Sequence, residues 1–127
     1  FHHALHSVLT GETDGYYEDF GKMDHLKRAF KDTYVYNGVF SPHRKKIFGT
    51  TLTDNPYSQF VVFAQNHDHI GNRPLGDRLT QTLSFEQLKL AAATYILSPY
   101  VPLLFMGEEY GEKNPFLYFV DHNEELS

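Results

Sequence analysis

The sequence contains no cysteine and no tryptophan among its 127 residues. The missing cysteine excludes disulfide-stabilised scaffolds, zinc sites built on thiolates and cysteine nucleophiles. Basic residues are also few, with 11 Lys and Arg against 16 Asp and Glu, and the net charge of -5 argues against a nucleic-acid-binding protein. No apolar run is long enough for a membrane-spanning helix, and 41% hydrophobic residues are too many for a disordered chain.

Several common sequence motifs are missing as well. The chain has no GxxxxGK[ST], no GxGxxG and no GxSxG pattern, which removes phosphate-binding loops, dinucleotide-binding folds and α/β serine hydrolases from consideration. No charged segment followed by an apolar one opens the chain in the manner of a signal peptide. We therefore expect a cytoplasmic protein.

The first half of the chain predicts two helices followed by a loop. Apolar residues recur at helical spacing over 1–9, and Gly11 ends the pattern. A second apolar stripe begins at Met23 and continues until Gly38. Residues 39–58 have no sustained period of either 2 or 3.6, and we expect a long loop there. Residues 1–58 thus form a helical and loop segment.

The second half predicts a strand, a helix and another strand. The apolar runs Gln59–Gln65 and Val101–Met106 are short enough for strands that are buried on both faces of a parallel sheet. Ser84 and Gln87 form a capping box at the start of the intervening helix. This βαβ unit over 59–106 predicts the α/β class. The helix should direct Leu88, Ala92 and Tyr95 inward and Glu86 and Lys89 outward.

A cluster of polar side chains follows the first predicted strand. Ligands in parallel α/β folds bind at the carboxyl ends of the strands, so these residues form the first candidate site. A carboxylate among histidine and asparagine suits the binding of sugar hydroxyls or of a developing positive charge. An alternative is that Asp68 and Asn66 cap a turn and that His67 is a core histidine. The candidates are Asn66, His67, Asp68, His69, Asn72 and Arg73.

Two acids, Glu108 and Glu109, follow the second predicted strand. If the strands are parallel, Asp68 and Glu108 emerge at the same edge and can form a carboxylate pair about 5 to 9 Å apart, as in glycoside hydrolysis. A structural ion pair of one of these glutamates with Arg73 or Arg78 is the alternative.

Histidine and tyrosine supply further candidate ligands. There are eight histidines. Spacings that occur in metal sites separate two pairs of them, His2 and His6, and His67 and His69. Neither pattern has the glutamate of a metalloprotease helix, so we expect no metal and no cofactor. Tyrosines beside glycines in loops can stack on a sugar face. These tyrosines are Tyr16, Tyr17 and Tyr110.

Three blocks of the sequence are similar to the α-amylase family of glycoside hydrolases. The stretch FVVFAQNHDHIGNRPLGDRL, residues 60–79, resembles the fourth signature region of that family, in which an apolar strand precedes NHD. The opening FHHALHSVLTGETDGYYEDFG and the ending PLLFMGEEYGEKNPFLYFVDH, residues 102–122, resemble the trehalose-releasing members of the family. The similarity covers nearly the whole chain.

The resemblance implies a glycosidase that hydrolyses the α-1,4-glucosidic bond linking trehalose to a malto-oligosaccharide. Asp68 matches the third of the family's three carboxylates. His67 would touch the sugar at the cleavage subsite, and Asn72 and Arg73 would lie near the trehalose side. His69 stands where the family pattern more often has glutamine. The nucleophile and the acid/base lie on earlier strands, outside this chain.

The same resemblance implies a TIM (β/α)8 barrel of which this chain is a fragment. A complete barrel needs about 250 residues, so the chain corresponds to strand 7, helix 7 and strand 8, a preceding helical excursion and the loop over 107–127. We expect the isolated chain to be inactive and to self-associate through the open edges of its partial barrel. A glucan branching enzyme or 4-α-glucanotransferase of the same family is one functional alternative. A non-catalytic carbohydrate-binding module is another.

Overall fold

The computed structural model of the chain describes residues 1–118. The end of the third similar block and the end of the predicted loop over 107–127 therefore lie outside the described residues. The described part is a mixture of helices and short strands without a closed barrel. Its main elements are α1 (His2–Thr10), α2 (Met23–Asp32), β1 (Asn37–Ser41), β2 (Lys46–Gly49), β3 (Val61–Val62), α3 (His67–Gly71), α4 (Phe85–Ile96) and β4 (Val101–Pro102).

The first two helices form where the apolar spacing predicts them. Helix α1 ends at Gly11, whose N–H still donates to the carbonyl of Ser7 and whose φ of 77° turns the following chain out of the helix. Helix α2 is shorter than expected and ends at Asp32, because Thr33 leaves helical geometry with a φ of 70°. Met23, at its start, is 66% exposed, so the apolar stripe is not wholly a core face.

The prediction of a loop over 39–58 is wrong for its first half. There the chain forms an antiparallel hairpin of β1 and β2. Polar contacts with a residue distant in sequence join the hairpin to the rest of the fold. The Asp19 carboxylate accepts the Ser41 hydroxyl and, at 2.9 Å, the backbone N–H of His43. It also accepts the Tyr36 hydroxyl at 2.8 Å. These contacts join the hairpin to the segment that precedes α2. No local sequence pattern predicts them.

Helix α4 confirms the prediction made from its capping box. The Ser84 hydroxyl accepts the N–H of Gln87 at 3.3 Å, and the Gln87 side chain accepts the N–H of Ser84 at 2.9 Å. Tyr95 is fully buried, and Leu88 and Ala92 are partly buried against the core. The outward residues Glu86 and Lys89 form an exposed ion pair of 2.7 Å.

The two predicted parallel strands exist but are much shorter than expected. Strands β3 and β4 pair in parallel with Val61 opposite Val101. Each strand has only one neighbour among residues 1–118, so one edge of each lacks the hydrogen bonds that would extend it. The prediction that both faces of these strands are buried is also wrong. Val62 is 2% exposed, whereas Val61 is 53% and Val101 is 41% exposed.

The hydrophobic core lies between the first helices and the βαβ unit. Tyr100, just before β4, donates its hydroxyl to the carbonyl of Phe30 at 2.7 Å and so joins the unit to the end of α2. No helix within residues 1–118 has the length and apolar character needed to cross a membrane. The buried core residues are Ala4, Leu5, Phe20, Leu26, Ala29, Val35, Val62, Ala64, Leu79, Leu83, Ala91, Tyr95 and Tyr100.

Candidate active site at the ends of two parallel strands

Two asparagines fix the ends of the short helix α3, which follows β3. The Asn66 side-chain oxygen accepts the backbone N–H of His69 at 2.8 Å and caps the first turn. The Asn72 side-chain amide donates to the carbonyl of Asp68 at 2.8 Å at the other end. The capping role left open for Asn66 is therefore confirmed, whereas the cap does not involve the Asp68 carboxylate. Both contacts orient the helix that carries the candidate site.

Asp68 and His67 project into solvent from the first turn of α3. Their side chains are 56% and 61% exposed, and His67 Nε2 lies 3.4 Å from Asp68 Oδ1. The alternative of a buried core histidine is therefore wrong for His67. A carboxylate this accessible has lone pairs available for the hydroxyl groups of a sugar, and the adjacent imidazole adds a second polar group.

Tyr118 contacts the Asp68 carboxylate directly. Its hydroxyl donates to Asp68 Oδ1 at 2.8 Å, and this hydrogen bond raises the pKa of Tyr118. The tyrosine ring lies so close to Gly71 that a Cβ there would be 1.9 Å from a ring carbon. The absence of a side chain at Gly71 thus allows Tyr118 to reach across α3 and orient Asp68.

Arg73 binds carboxylates of the protein itself. Its Nε donates to Asp77 at 2.8 Å and its Nη1 to Glu12 at 3.1 Å, with the Arg73 side chain only 23% exposed. His6 Nε2 lies 2.8 Å from the same Glu12 oxygen. Burial raises the pKa of Glu12, but the hydrogen bonds with His6 and Arg73 outweigh it and leave that pKa lowered. The network joins the end of α1 to the segment after α3.

Glu108 lies after β4 but is partly buried against the protein. Its carboxylate accepts the N–H of Phe105 at 3.1 Å, and burial raises its pKa. The buried Tyr95 hydroxyl, which makes no hydrogen bond of ordinary geometry within the described part, lies beside it. Burial first, and then the Glu108 charge, raise the pKa of Tyr95. Glu108 and Asp68 share no hydrogen-bonding partner among residues 1–118. Their pairing as two carboxylates of one site stays a prediction.

The predicted ion pair between a glutamate after β4 and an arginine is absent from the described residues. Arg78 instead donates to the carbonyls of Met106 at 2.7 Å and Asn114 at 2.9 Å. Arg73 is engaged elsewhere, and Glu109 is exposed. Arg78 therefore binds the backbone of the segment that follows β4 rather than the carboxylates of its glutamates.

The three tyrosines proposed as sugar platforms differ in their exposure. Tyr16 and Tyr110 are exposed, which keeps both available to a ligand. Tyr17 is 3% exposed and stacks on His6 with 4.4 Å between ring centroids. The prediction is therefore wrong for Tyr17, which is part of the packing around α1.

His69 joins two histidines of α1 in a compact cluster. Ring centroids are 4.5 Å apart for His2 and His69 and 5.0 Å apart for His3 and His69. One ring nitrogen from each of the three lies within 4.8 Å of the others. Burial, the largest cause, lowers the pKa of His2 to about 2 and those of His3 and His69 to about 4. All three rings are neutral at pH 7.

Sequence reasoning missed two residues that shape the site, Glu12 and Tyr118, and assigned no role to Gln65. Gln65 is buried, and its side-chain oxygen accepts the N–H of Leu79 at 2.9 Å. A polar residue at the end of an apolar run was a usable signal for Gln65. Glu12 and Tyr118 act through contacts distant in sequence, and their neighbours gave no indication of them.

Comparison with known proteins identifies the segment. A protein from Saccharolobus solfataricus named malto-oligosyltrehalose trehalohydrolase is 51% identical over 124 residues, which are 98% of this chain. The chain matches a segment of the malto-oligosyltrehalose trehalohydrolases. The trehalohydrolase of Arthrobacter ramosus is 43% identical over 97% of the chain. In both cases the chain spans about 22% of the length of the relative.

A solved structure is similar to the chain in both sequence and fold. A crystal structure from Salmonella typhimurium, provisionally described as an alpha amylase, superimposes with a TM-score of 0.90 at 47% identity. The match covers 98% of this chain and 22% of that one. No family model matches the chain.

Proposed function

We propose that the full-length protein to which this chain contributes hydrolyses the α-1,4-glucosidic bond linking trehalose to a malto-oligosaccharide. The observation that carries the proposal is the exposed Asp68 carboxylate, which lies at the carboxyl end of a parallel strand within a segment 51% identical to a trehalohydrolase. Its substrate is then a maltooligosyl trehalose.

Asp68 acts in this proposal as the third carboxylate of the site. It binds hydroxyl groups of the sugar at the cleaved bond and stabilises the positive charge that develops there in the transition state. His67, 3.4 Å away, adds a contact to the same sugar. Tyr118 and the capped helix α3 hold Asp68 in place. The nucleophile and the acid/base come from parts of the protein beyond this chain.

The proposed setting is a TIM barrel in which β3, α4 and β4 are strand 7, helix 7 and strand 8. The parallel pairing of β3 with β4 across α4 supports it, as does the exposed outer face of the pair. The same exposure supports self-association of the isolated chain. That chain, lacking two of the three carboxylates, should hydrolyse no α-glucan. A cytoplasmic location stays a prediction.

The deciding experiment incubates the full-length protein with maltotriosyltrehalose and quantifies all products. Hydrolysis predicts trehalose and maltotriose in equal amounts. A branching enzyme or 4-α-glucanotransferase would instead lengthen or branch the acceptor chains with little free trehalose. Binding of the sugar without any product would mean a carbohydrate-binding module, and either of these results would overturn the proposal.

A further inference from the structure

Three histidines that the sequence did not associate meet where α1 packs beside α3. The sequence pattern pointed to His2 with His6, but His6 lies against Glu12 and stacks on Tyr17. The fold instead brings His69 to His2 and His3, with ring nitrogens within 4.8 Å of one another. We propose that His2, His3 and His69 bind a divalent transition-metal ion of the zinc type.

The chemistry of the three rings favours such an ion. Neutral imidazole nitrogens are preferred ligands of zinc, copper and nickel, and three of them leave one coordination position open. No carboxylate belongs to the cluster within the described part of the chain, which disfavours calcium and magnesium. None of the three side chains makes a hydrogen bond among residues 1–118. The hydrogen bond of His69 to Asn66 uses the backbone N–H and leaves its ring free. The lone pairs of the three rings therefore remain available.

Aromatic neighbours hold two of the rings in place. The His2 ring stacks on Phe63 with 4.3 Å between centroids and an interplanar angle of 14°. His3 packs edge-on against Tyr17 and lies 5.3 Å from Phe20. Rings that are already ordered lose less conformational entropy when an ion binds.

The distances require only a small adjustment. Zinc–nitrogen bonds of about 2.0 to 2.1 Å in a tetrahedral site put ligand nitrogens roughly 3.3 Å apart. The ring nitrogens lie within 4.8 Å of one another, so side-chain rotations by about 1 Å would close the site. A bound ion would join α1 directly to α3, the helix that presents Asp68. This site does not depend on the proposed glycosidase activity.

The test is a zinc titration of the chelator-treated full-length protein against a competing chromophoric chelator. A free α-amine at Phe1 would lie near His2 and His3 and could bind the ion itself. The full-length protein, or an N-acetylated chain as a second sample, avoids this ambiguity. Cobalt in place of zinc gives a visible spectrum that reports on nitrogen ligands in a tetrahedral site.

The variants are His69→Gln and His3→Gln, with His43→Gln as a matched control on the hairpin. We expect one tightly bound zinc per chain, an unchanged dissociation constant in the control and at least about a 10-fold weaker one in each cluster variant. Added zinc should also raise Tm in the starting protein and the control but not in the cluster variants. Circular dichroism without metal confirms that each variant is folded. Absence of binding, or equal binding in all variants, overturns the proposal.

Discussion

The first loop, which follows β3 and includes the short helix α3, and the second loop, which follows β4, leave the same edge of a parallel pair of strands. Their carboxylates nevertheless have opposite surroundings. Asp68 in the first loop has a 56% exposed side chain and is oriented by Tyr118. Glu108 in the second loop is half-buried, accepts the N–H of Phe105 and has a raised pKa. Position at a strand end therefore does not by itself make a carboxylate a ligand for substrate, because exposure and existing partners decide its role.

The largest effect expected from this comparison is that of Asp68→Asn in the full-length protein. The amide keeps the shape but loses the charge, so kcat should fall about 100-fold, equivalent to about 2.7 kcal/mol of transition-state stabilisation. KM should change much less. Steady-state kinetics on maltotriosyltrehalose measure both quantities.

The matched control for this substitution is Asp24→Asn, on the exposed side of α2, and it should leave kcat unchanged. Near-normal kcat in Asp68→Asn would remove the functional distinction between the two loops.

The next effect concerns the network that anchors the first loop. Arg73→Met removes a side chain that pairs with both Glu12 and Asp77 and leaves two partly buried carboxylates without their cation. We expect a loss of about 2 kcal/mol in the free energy of unfolding. Thermal unfolding of the full-length protein would show a lower apparent Tm.

Lys89→Met breaks the exposed ion pair with Glu86 and should cost less than about 0.5 kcal/mol. Equal effects of the Arg73 and Lys89 substitutions would mean that the network contributes no more than a surface pair.

A smaller effect is expected from the two tyrosines that bind carboxylates near the two loops. Tyr118→Phe removes the hydroxyl that orients Asp68, and kcat should fall roughly 3- to 10-fold with the fold intact. Tyr110→Phe removes the equivalent bond to Glu112, 3.0 Å long, and should not change kcat. Kinetics of the two variants in parallel test the assignment, which a similar loss in both would contradict.

The smallest effect is expected from Glu108→Gln, and it depends on pH. Since burial raises the pKa of Glu108 in the folded state, the fold binds this proton more tightly than the unfolded chain does. Charged Glu108 therefore lowers stability as pH rises from about 4.5 through the raised pKa.

Glutamine does not titrate and can still accept the N–H of Phe105. The variant should thus match or slightly exceed the starting protein in Tm at pH 7 and lose this advantage near pH 4. Tm measured across that range provides the test. A lower Tm for Glu108→Gln at pH 7 would show that the charge stabilises the second loop.

Local contacts explain which parts of the fold were predictable. The capping box of α4 joins residues three apart, and the helix is found where the sequence predicts it. The parallel order of β3 and β4 follows from the helix between them. The hairpin was not predicted, because Asp19 holds Ser41 and His43 through contacts more than 20 residues apart in sequence.

The sequence by itself determined the α/β class, the position of α4, the polar loop with Asp68 and the match to the trehalohydrolases. These properties reside in short segments whose hydrogen bonds and apolar spacing are local. Only the tertiary structure decided which carboxylate is exposed, which acids Arg73 binds and which histidines meet. Those outcomes depend on how α1 packs beside α3 and on burial of the loop after β4, since contact and desolvation between distant segments leave no periodic trace in the chain.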